Sequence, residues 1–516
     1  MKRNYKLHFI TIFFIVISSL QSQEQVPSYE ITPVENALHG FATSVSESWA
    51  LVSSPQKDIN SKQSIGSVVF YQLTDGEWAF FQEVSPEELE EFASFGMSLD
   101  IDGTTAVISC FGDHEIGLFS GAVYVYQFDD QEKIWILETK LKASDSSIGT
   151  NFGNSVSINN DLIAIGAHNA EGNEIKSGAV YVFEKLDSGW TETKKIVASN
   201  GKKNDYFGHE VDIIDENTIS VGAYNADGKE ERSGVVYIYQ KSDANDWTTE
   251  IILSDPNGKS SDLFGYCLSG STNEQTNILF LGAPGRNNNE LQTGSVYLFS
   301  QIKGSNTWSL NYELTESSSG NNDHFGHSVS FNSNGNLFVG ANRAAANNST
   351  NAGKIYIYEN ISLDENSLNE GTEFSQTNSK NFEHFGTSIS SDNENLIIAS
   401  PFAVSDEKTN AGAVYFYRYE SLNIDENNLE NLYTVHQNIP NPFTSSTLIS
   451  YNIRKAGNVK ITLYDVNGKT ISILRDDYQE FGNYSLSFRD IGLSPGIYFF
   501  EFTINDFKTT KKMIFY

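Results

Sequence analysis

"SGAVYVYQ" (Ser120–Gln127) is a strand phrase in which valines and tyrosines alternate behind a small-residue turn. It returns as "SGAVYVFE" (Ser177–Glu184) and "SGVVYIYQ" (Ser233–Gln240). Looser copies are "IGSVVFYQ" (65–72), "TGSVYLFS" (293–300), "AGKIYIYE" (352–359) and "AGAVYFYR" (411–418). A second phrase precedes each copy: "FGMSLDI" from Phe95, "FGNSVSI" from Phe152, "FGHEVDI" from Phe207, "FGYCLSG" from Phe264, "FGHSVSF" from Phe325 and "FGTSISS" from Phe385. The earliest copy is degenerate and reads "GFATSVS", with Phe41 in the phenylalanine place. Phe-to-Phe steps are 54, 57, 55, 57, 61 and 60 residues, so the chain is a sevenfold repeat.

Each unit divides into four short strands. The FG strand comes first, and the second ends in small residues, as in "AIGA" (164–167) and "SVGA" (220–223). The "GxVYxY" strand is third, and a fourth starts near a tryptophan (Trp78, Trp135, Trp190, Trp247, Trp308). Turns rich in Asp, Asn and Gly separate them. Four antiparallel strands repeated seven times, with no helical period between them, predict an all-β seven-bladed β-propeller over residues 23–420. No good fourth strand follows the seventh "GxVYxY" copy, so Tyr29–Val34 is expected to complete blade seven and latch the ring. The leading Gly of each phrase is expected to serve a backbone approach that a Cβ would block.

The first 22 residues have a basic start (Lys2, Arg3, Lys6) and a short apolar run, the pattern of a cleaved signal peptide. No later stretch predicts a transmembrane helix. Two cysteines, Cys110 and Cys267, fall at different places in different repeats and read as buried free thiols without metal-ligand spacing. Residues 23–433 hold −37 of a total charge of −32, the leader contributing +3 and the last 83 residues +2. That surface argues against nucleic acid as a partner.

The order FG, "GA" or "GAP", then "GxVYxY" resembles the FG-GAP repeat family, the propeller also found in integrin α subunits, over roughly residues 28–420. The resemblance implies ligand binding through loops on one face, with no catalytic residues and often calcium in loops of the DxDxDGxxD kind. Here those connections read "DIDGTTA" (100–106), "INNDLIA" (158–164) and "IDENTIS" (214–220), which lack the spaced oxygen ligands calcium needs. No cofactor is therefore expected; calcium stays possible without its usual loop. Asp100 and Asp102 read as turn residues beside Gly103.

After a polar linker (421–436) the sequence changes character. "NIPNPF", "LYDVNGK", "LSPGIY" and a terminal "KKMIF" alternate apolar and polar residues between NG and PG turns, which predicts a small Ig-like β-sandwich over 437–516. The same residues resemble the type A C-terminal sorting domain of the type IX secretion system. That implies contact with the secretion machinery, a Bacteroidetes-type source, and a place on the outer-membrane surface or outside the cell after cleavage.

No HExxH, GxSxG, P-loop or GxGxxG motif occurs, so no catalytic or metal residue is assigned. The acids before the FG phrases (Asp205, Asp262, Asp323, Glu383) read as turn formers. His209, His324, His327 and His384 read as packing or capping groups. Function is expected in the unlike loops between second and third strands. Their candidate ligand residues are Asp113, His114, Asn169, Glu171, Asn225, Asp227, Arg286, Asn288, Arg343 and Asp406. The expected function is non-catalytic adhesion or recognition of an extracellular protein or glycan. The alternatives are a polysaccharide-active hydrolase or lyase and a structural surface component. Acids, Arg or His clustered at one mouth of the ring favour the enzyme, and scattered polar loops favour binding.

Overall fold

The computed structural model describes residues 34–418 and 433–516, apart from breaks at 243–245, 289–290, 317–319, 362–370, 377, 406, 436, 439, 454–456, 467, 480–481, 490–491 and 506. It forms two compact units, Met1–Tyr419 and Glu420–Tyr516. Among the described residues both consist of strands and turns without a helix. The leader and all of the expected closing strand except Val34 lie outside the described residues.

In the first unit the chain lays down antiparallel sheets one after another. Sheet 1 holds Thr43–Ser46, Trp49–Ser54, Ser67–Thr74 and Glu77–Val84 in sequence order. Sheets 2 to 6 are also four-stranded and open with Phe95–Asp102, Val156–Asn159, Glu210–Asp215, Leu268–Thr272 and Phe325–Phe331. Sheet 7 shows three strands among the described residues, Ser388–Ser391, Asn395–Ser400 and Ala413–Arg418. The "GxVYxY" phrase is the third strand throughout.

Its alternation separates two interfaces. Val123 and Val125 pack with Phe152, Ile163 and Ile165 of sheet 3, whereas Tyr124 and Tyr126 pack with Leu51 and Phe70 of sheet 1. Similar apolar clusters join each later pair of sheets, and Val45, Val52, Val69, Ile397 and Phe416 join sheet 7 to sheet 1. Each fully buried phenylalanine contributes roughly 1.5–3 kcal/mol of apolar burial.

The leading glycines explain the spacing between sheets. Gly121, Gly178, Gly234 and Gly294 bridge the backbones of Phe152, Phe207, Phe264 and Phe325 in the following sheet. Their φ angles run from 79° to 95°, and a Cβ would stand 2.0–2.2 Å from the partner carbonyl oxygen. Gly412 makes the same bridge to His39. This corrects the register of the earliest copy: its FG is His39–Gly40, and Gly40 has the left-handed φ of 87° that the FG glycines share. Phe41 lies one place beyond that pair.

The first strands stand side by side in a circuit, each against the next, and Ser388–Ser391 abuts Thr43–Ser46. An innermost strand leaves one edge of N–H groups unpaired by its own sheet. Small polar side chains from the preceding sheet meet those groups. Ser98 accepts from the Val156 N–H (3.1 Å), Ser157 from Ile213 (3.1 Å), Ser269 from Phe331 (3.0 Å) and Ser390 from Val45 (3.0 Å). Asp100 is part of this girdle and no turn residue: it accepts from the Ile158 N–H (2.9 Å) and the Ser44 hydroxyl (2.8 Å). Asp102 ends the same strand and accepts from the Asn160 N–H. Serine recurs in the FG strand because it is short enough for the crowded centre and carries an acceptor.

The C-terminal unit has two antiparallel sheets. One orders Tyr433–Val435, Ser446–Ile453 and Gly482–Arg489; the other orders Thr470–Gln479, Gly457–Tyr464, Gly496–Ile504 and Phe507–Phe515. Tyr433–Val435 pairs with Ser446–Ile453, so this unit takes in residues that the sequence reading assigned to the linker. Ile449, Tyr451, Ile461, Phe500, Phe502 and Met513 form its core.

Candidate functional site: a ring-lined rim

In every sheet of the first unit, the start of the first strand and the end of the second lie at the same end of the sheet, because the strands are antiparallel. Glu210 pairs with Gly222 and Phe325 with Ala341. Three positions per sheet therefore gather at one rim: the residue before the Phe, the residue after the FG, and the residue after the second strand.

The residue before the Phe has left-handed backbone in all seven sheets: Leu38, Ser94, Asn151, Tyr206, Leu263, His324 and His384, with φ from 51° to 62°. That conformation is costly for large side chains, on the order of 1 kcal/mol or more each. In sheets 3 to 6 the rim carries rings that touch one another. His168 meets Tyr206 (5.4 Å between ring centres) and His209 (6.1 Å). His209 meets Tyr224 (4.4 Å) and Tyr266 (5.3 Å), and Tyr266 meets His327 (5.3 Å). His384 lies against Phe402 at 5.0 Å. Arg343, exposed, adds positive charge near Tyr266, His324, His327 and His384.

Burial keeps these imidazoles neutral. It pushes His168 and His324 down to about 4, aided by Lys176 and by Arg343 and His384 respectively. His209 and His327 fall to about 3 through burial and neighbouring histidines, with Arg343 adding to the effect at His327. Burial raises Tyr266 to about 12. The rim at neutral pH thus presents uncharged imidazole and phenol groups with one guanidinium. His168 Nδ1, His327 Nδ1 and Asn342 Oδ1 are buried and have no hydrogen-bond partner among the described residues. Unmatched buried polar atoms are rare and costly in folded proteins.

Below the rim, Glu210, Asp212 and Asp100 lie half-buried on the first strands of sheets 4 and 2, and Asp212 accepts from the Gly270 N–H of sheet 5 (2.8 Å). Desolvation raises all three, Asp100 to about 7, Asp212 to about 6 and Glu210 to about 8, with Asp212 and Asp100 repelling Glu210 further.

The loop candidates divide differently. Arg286 is buried in an ion cluster with Asp262 (2.8 Å), Glu313 (3.2 Å) and Asp255 (3.3 Å). Asp113 is buried against Lys140 (2.8 Å), and Asp227 pairs with Lys202 (2.9 Å). Asn169 donates to Asn151 Oδ1 (2.7 Å) and Asn225 to the Asn204 carbonyl (2.6 Å). His114 packs on Phe119 at 5.3 Å, and the exposed Glu171 accepts from Lys195 through its carbonyl (2.9 Å). Asn288 lies in a two-residue strand paired with Leu291, and Asp406 lies outside the described residues. Of the ten, Arg343 is the one whose charge reaches the rim histidines. The acids before FG act as turn formers: Asp205, Asp262, Asp323 and Glu383 each accept an N–H from three residues upstream. The rim histidines are not isolated packing groups. Their positions flank the repeat motif, and their gathering follows from the ring of first strands. Cys110 is buried and Cys267 half-buried, and both are free.

Comparison with known proteins follows the same division. The FG-GAP repeat model matches residues 78–126, 135–183, 190–239 and 308–358, and the secretion system C-terminal sorting domain model matches 438–516. The chain is an FG-GAP repeat protein with a type IX sorting domain. Each matched repeat runs from the tryptophan of one sheet to the third strand of the next. No curated protein matches this FG-GAP protein. Among solved structures it is similar to Saccharomyces cerevisiae Sqt1 (12% identity, 74% of this chain and 84% of that one, TM-score 0.40). It is also similar to the Pseudomonas aeruginosa periplasmic gluconolactonase PpgL (9%, 85% and 99%, 0.42). A third is Porphyromonas gingivalis PorZ, a surface component of the type IX secretion system (10%, 92% and 73%, 0.29). At these TM-scores the likenesses carry no argument about fold or activity. The sorting domain itself implies secretion to the surface or exterior through the type IX machinery. Among the described residues no helix is long and apolar enough to cross a membrane.

Proposed function

We propose that this is a secreted or surface-held, non-catalytic binding protein whose seven sheets are the blades of a closed β-propeller, and whose rim takes an extracellular glycan. The Ig-like C-terminal sandwich serves as its export signal, with the signal peptide at 1–22. One observation carries the reading: neutral histidine and tyrosine rings converge at one end of the ring, with buried polar atoms unmatched. Flat ring faces suit the C–H faces of sugars, and imidazole, phenol and amide groups suit their hydroxyls. An uncharged ligand also avoids repulsion from the strongly acidic surface. A glycan array probed with the full chain tests this. His209→Ala and Tyr266→Ala are expected to lose glycan binding while still melting cooperatively, at a Tm lowered by the lost ring contacts. Capture of extracellular proteins with no glycan bound overturns the ligand class.

The gathering of histidines, Arg343 and acids at one mouth is the arrangement expected of an enzyme, and the raised pKa of Glu210, one residue from His209, makes catalysis the second reading. Binding comes first because the histidines are neutral and packed against rings. A carboxyl kept protonated near neutral pH is the general acid that glycoside hydrolysis needs. Turnover of a polysaccharide that Glu210→Gln abolishes is the outcome that replaces binding with catalysis. Calcium-dependent glycan binding or melting would give the protein a cofactor, which this reading does without.

A further inference from the structure

The junction between sheets 7 and 1 differs from the other six at two positions together. In sheets 2 to 7 the FG phenylalanine packs against the first tyrosine of its own "GxVYxY" strand. The pairs are Phe95–Tyr124, Phe152–Tyr181, Phe207–Tyr237, Phe264–Tyr297, Phe325–Tyr356 and Phe385–Tyr415, with ring centres 5.1–5.6 Å apart and edge to face. In sheet 1 both partners are exchanged, His39 for phenylalanine and Val69 for tyrosine. A small pocket of about 70 Å³, open to solvent at its mouth, lies there, and His39, Val69, Ser54, Lys57, Glu83 and Ala411 are among its lining residues.

The polar end of that pocket repeats what one tyrosine hydroxyl, that of Tyr297 in sheet 5, meets. The Tyr297 hydroxyl lies within hydrogen-bond distance of Asp255 (2.8 Å) and of Glu313 (3.0 Å), and Glu313 is its partner across the strand pair. Glu83 holds that cross-strand place opposite Val69. Above Tyr297, Glu313 is paired with Arg286; in sheet 1, Glu83 is paired with Lys57. Lys57 and Arg286 are equivalent, since their carbonyls accept from Gly66 and Gly294. The acceptor and its countercharge are thus retained where the phenol ring is missing. Burial opposes the charge on Glu83, but hydrogen bonding and attraction from Lys57 outweigh it, so the carboxylate is ready to accept. His39 Nδ1 is engaged by Ser54 Oγ at 2.9 Å, leaving the ring edge to the pocket.

We propose that this seam pocket binds a phenol group, which fills the place of the missing tyrosine ring between Val69 and His39 and donates its O–H to Glu83. The phenol could be free or carried on a tyrosine side chain, and the two are separable by experiment.

The full chain is titrated with p-cresol, with toluene as the ring without a hydroxyl and with N-acetyltyrosine amide as the side-chain form, and thermal shift and calorimetry are read. Expected are saturable stabilisation by p-cresol and affinity for toluene roughly tenfold or more weaker, the worth of a hydrogen bond to a charged acceptor. Response to p-cresol with none to N-acetyltyrosine amide marks the ligand as a free phenol; response to both admits a tyrosine side chain. Val69→Tyr fills the pocket and is expected to abolish binding. No saturable response in the wild type, or an equal response in Val69→Tyr, overturns the proposal. Should Val69→Tyr fail to fold, a crystal of the wild type soaked in p-cresol decides: density beside Val69 and His39 supports the site, and its absence there overturns it.

Discussion

Gly412, immediately before the third strand of sheet 7, bridges the backbone of His39, which precedes the first strand of sheet 1. The two residues are 373 positions apart, yet they make the contact that neighbouring repeats make throughout the unit. Added to the circuit of first strands and the apolar cluster across the same junction, this bridge brings the last repeat against the first. It requires glycine, since a Cβ on Gly412 would lie 2.1 Å from the His39 oxygen.

Gly412→Ala is therefore expected to destabilise the first unit by several times the effect of Gly189→Ala. Gly189 also has left-handed φ (96°), but a Cβ there meets nothing within 4 Å. Its replacement carries the backbone term alone, about 1 kcal/mol. Chemical denaturation of the two variants measures the difference, and equal midpoints would show that the bridge does not constrain the ring.

His39→Phe is expected to remove part of the acid sensitivity. Burial and the nearby Lys57 lower the His39 pKa to about 4, against the opposing pull of Glu83. A histidine whose folded pKa is depressed adds stability above its unfolded value, near 6.5, and loses it as pH falls toward the folded value. Between pH 6.5 and 4 the wild type should lose on the order of 1–3 kcal/mol relative to His39→Phe. Thermal melts at pH 7 and pH 4 check this; parallel pH profiles would assign the acid sensitivity to the rim histidines instead.

Two arginines that look alike in the sequence, Arg286 and Arg343, are expected to behave oppositely. Arg286→Met leaves Asp255, Asp262 and Glu313 without their buried partner and should cost about 3–5 kcal/mol. Arg343→Met, on an exposed side chain, should stay within about 0.5 kcal/mol of wild type and alter ligand binding instead. Paired stability and binding assays separate the two.

These residues show what sequence reading reached. The repeat, its strand order and the need for glycine were legible because they recur at fixed spacing. The register of the earliest copy was not, because Phe41 lies one place from His39–Gly40 and draws the eye from the histidine that took over the phenylalanine position. Loop composition drew attention to Arg286 and Asp113, yet both are consumed by ion pairs inside the scaffold. The rim was hidden for a geometric reason: His168, His209, Tyr266 and His327 are remote in sequence and meet because seven first strands share one circuit. Asp100 reads as a turn residue and the serines draw no reading, because nothing in their spacing shows that the first strands lack edge partners.

Glu210 offers the sharpest test of that circuit of first strands. Desolvation, with repulsion from Asp212 and Asp100, raises its pKa to about 8. A carboxyl whose folded pKa lies above the unfolded value, about 4.3, stabilises the fold fully below that value. The contribution is lost as pH rises through the folded pKa, because the folded state then holds an unwelcome charge. Glu210→Gln keeps the shape and cannot ionise. The two proteins should be equally stable at pH 4, and Glu210→Gln should be the more stable at pH 9 by roughly 1 kcal/mol or more. Asp100→Asn should follow the same trend while retaining an oxygen for the Ile158 N–H. If the wild type and Glu210→Gln instead keep equal stability up to pH 9, Glu210 ionises freely in water, and the general-acid reading of that carboxyl falls with it.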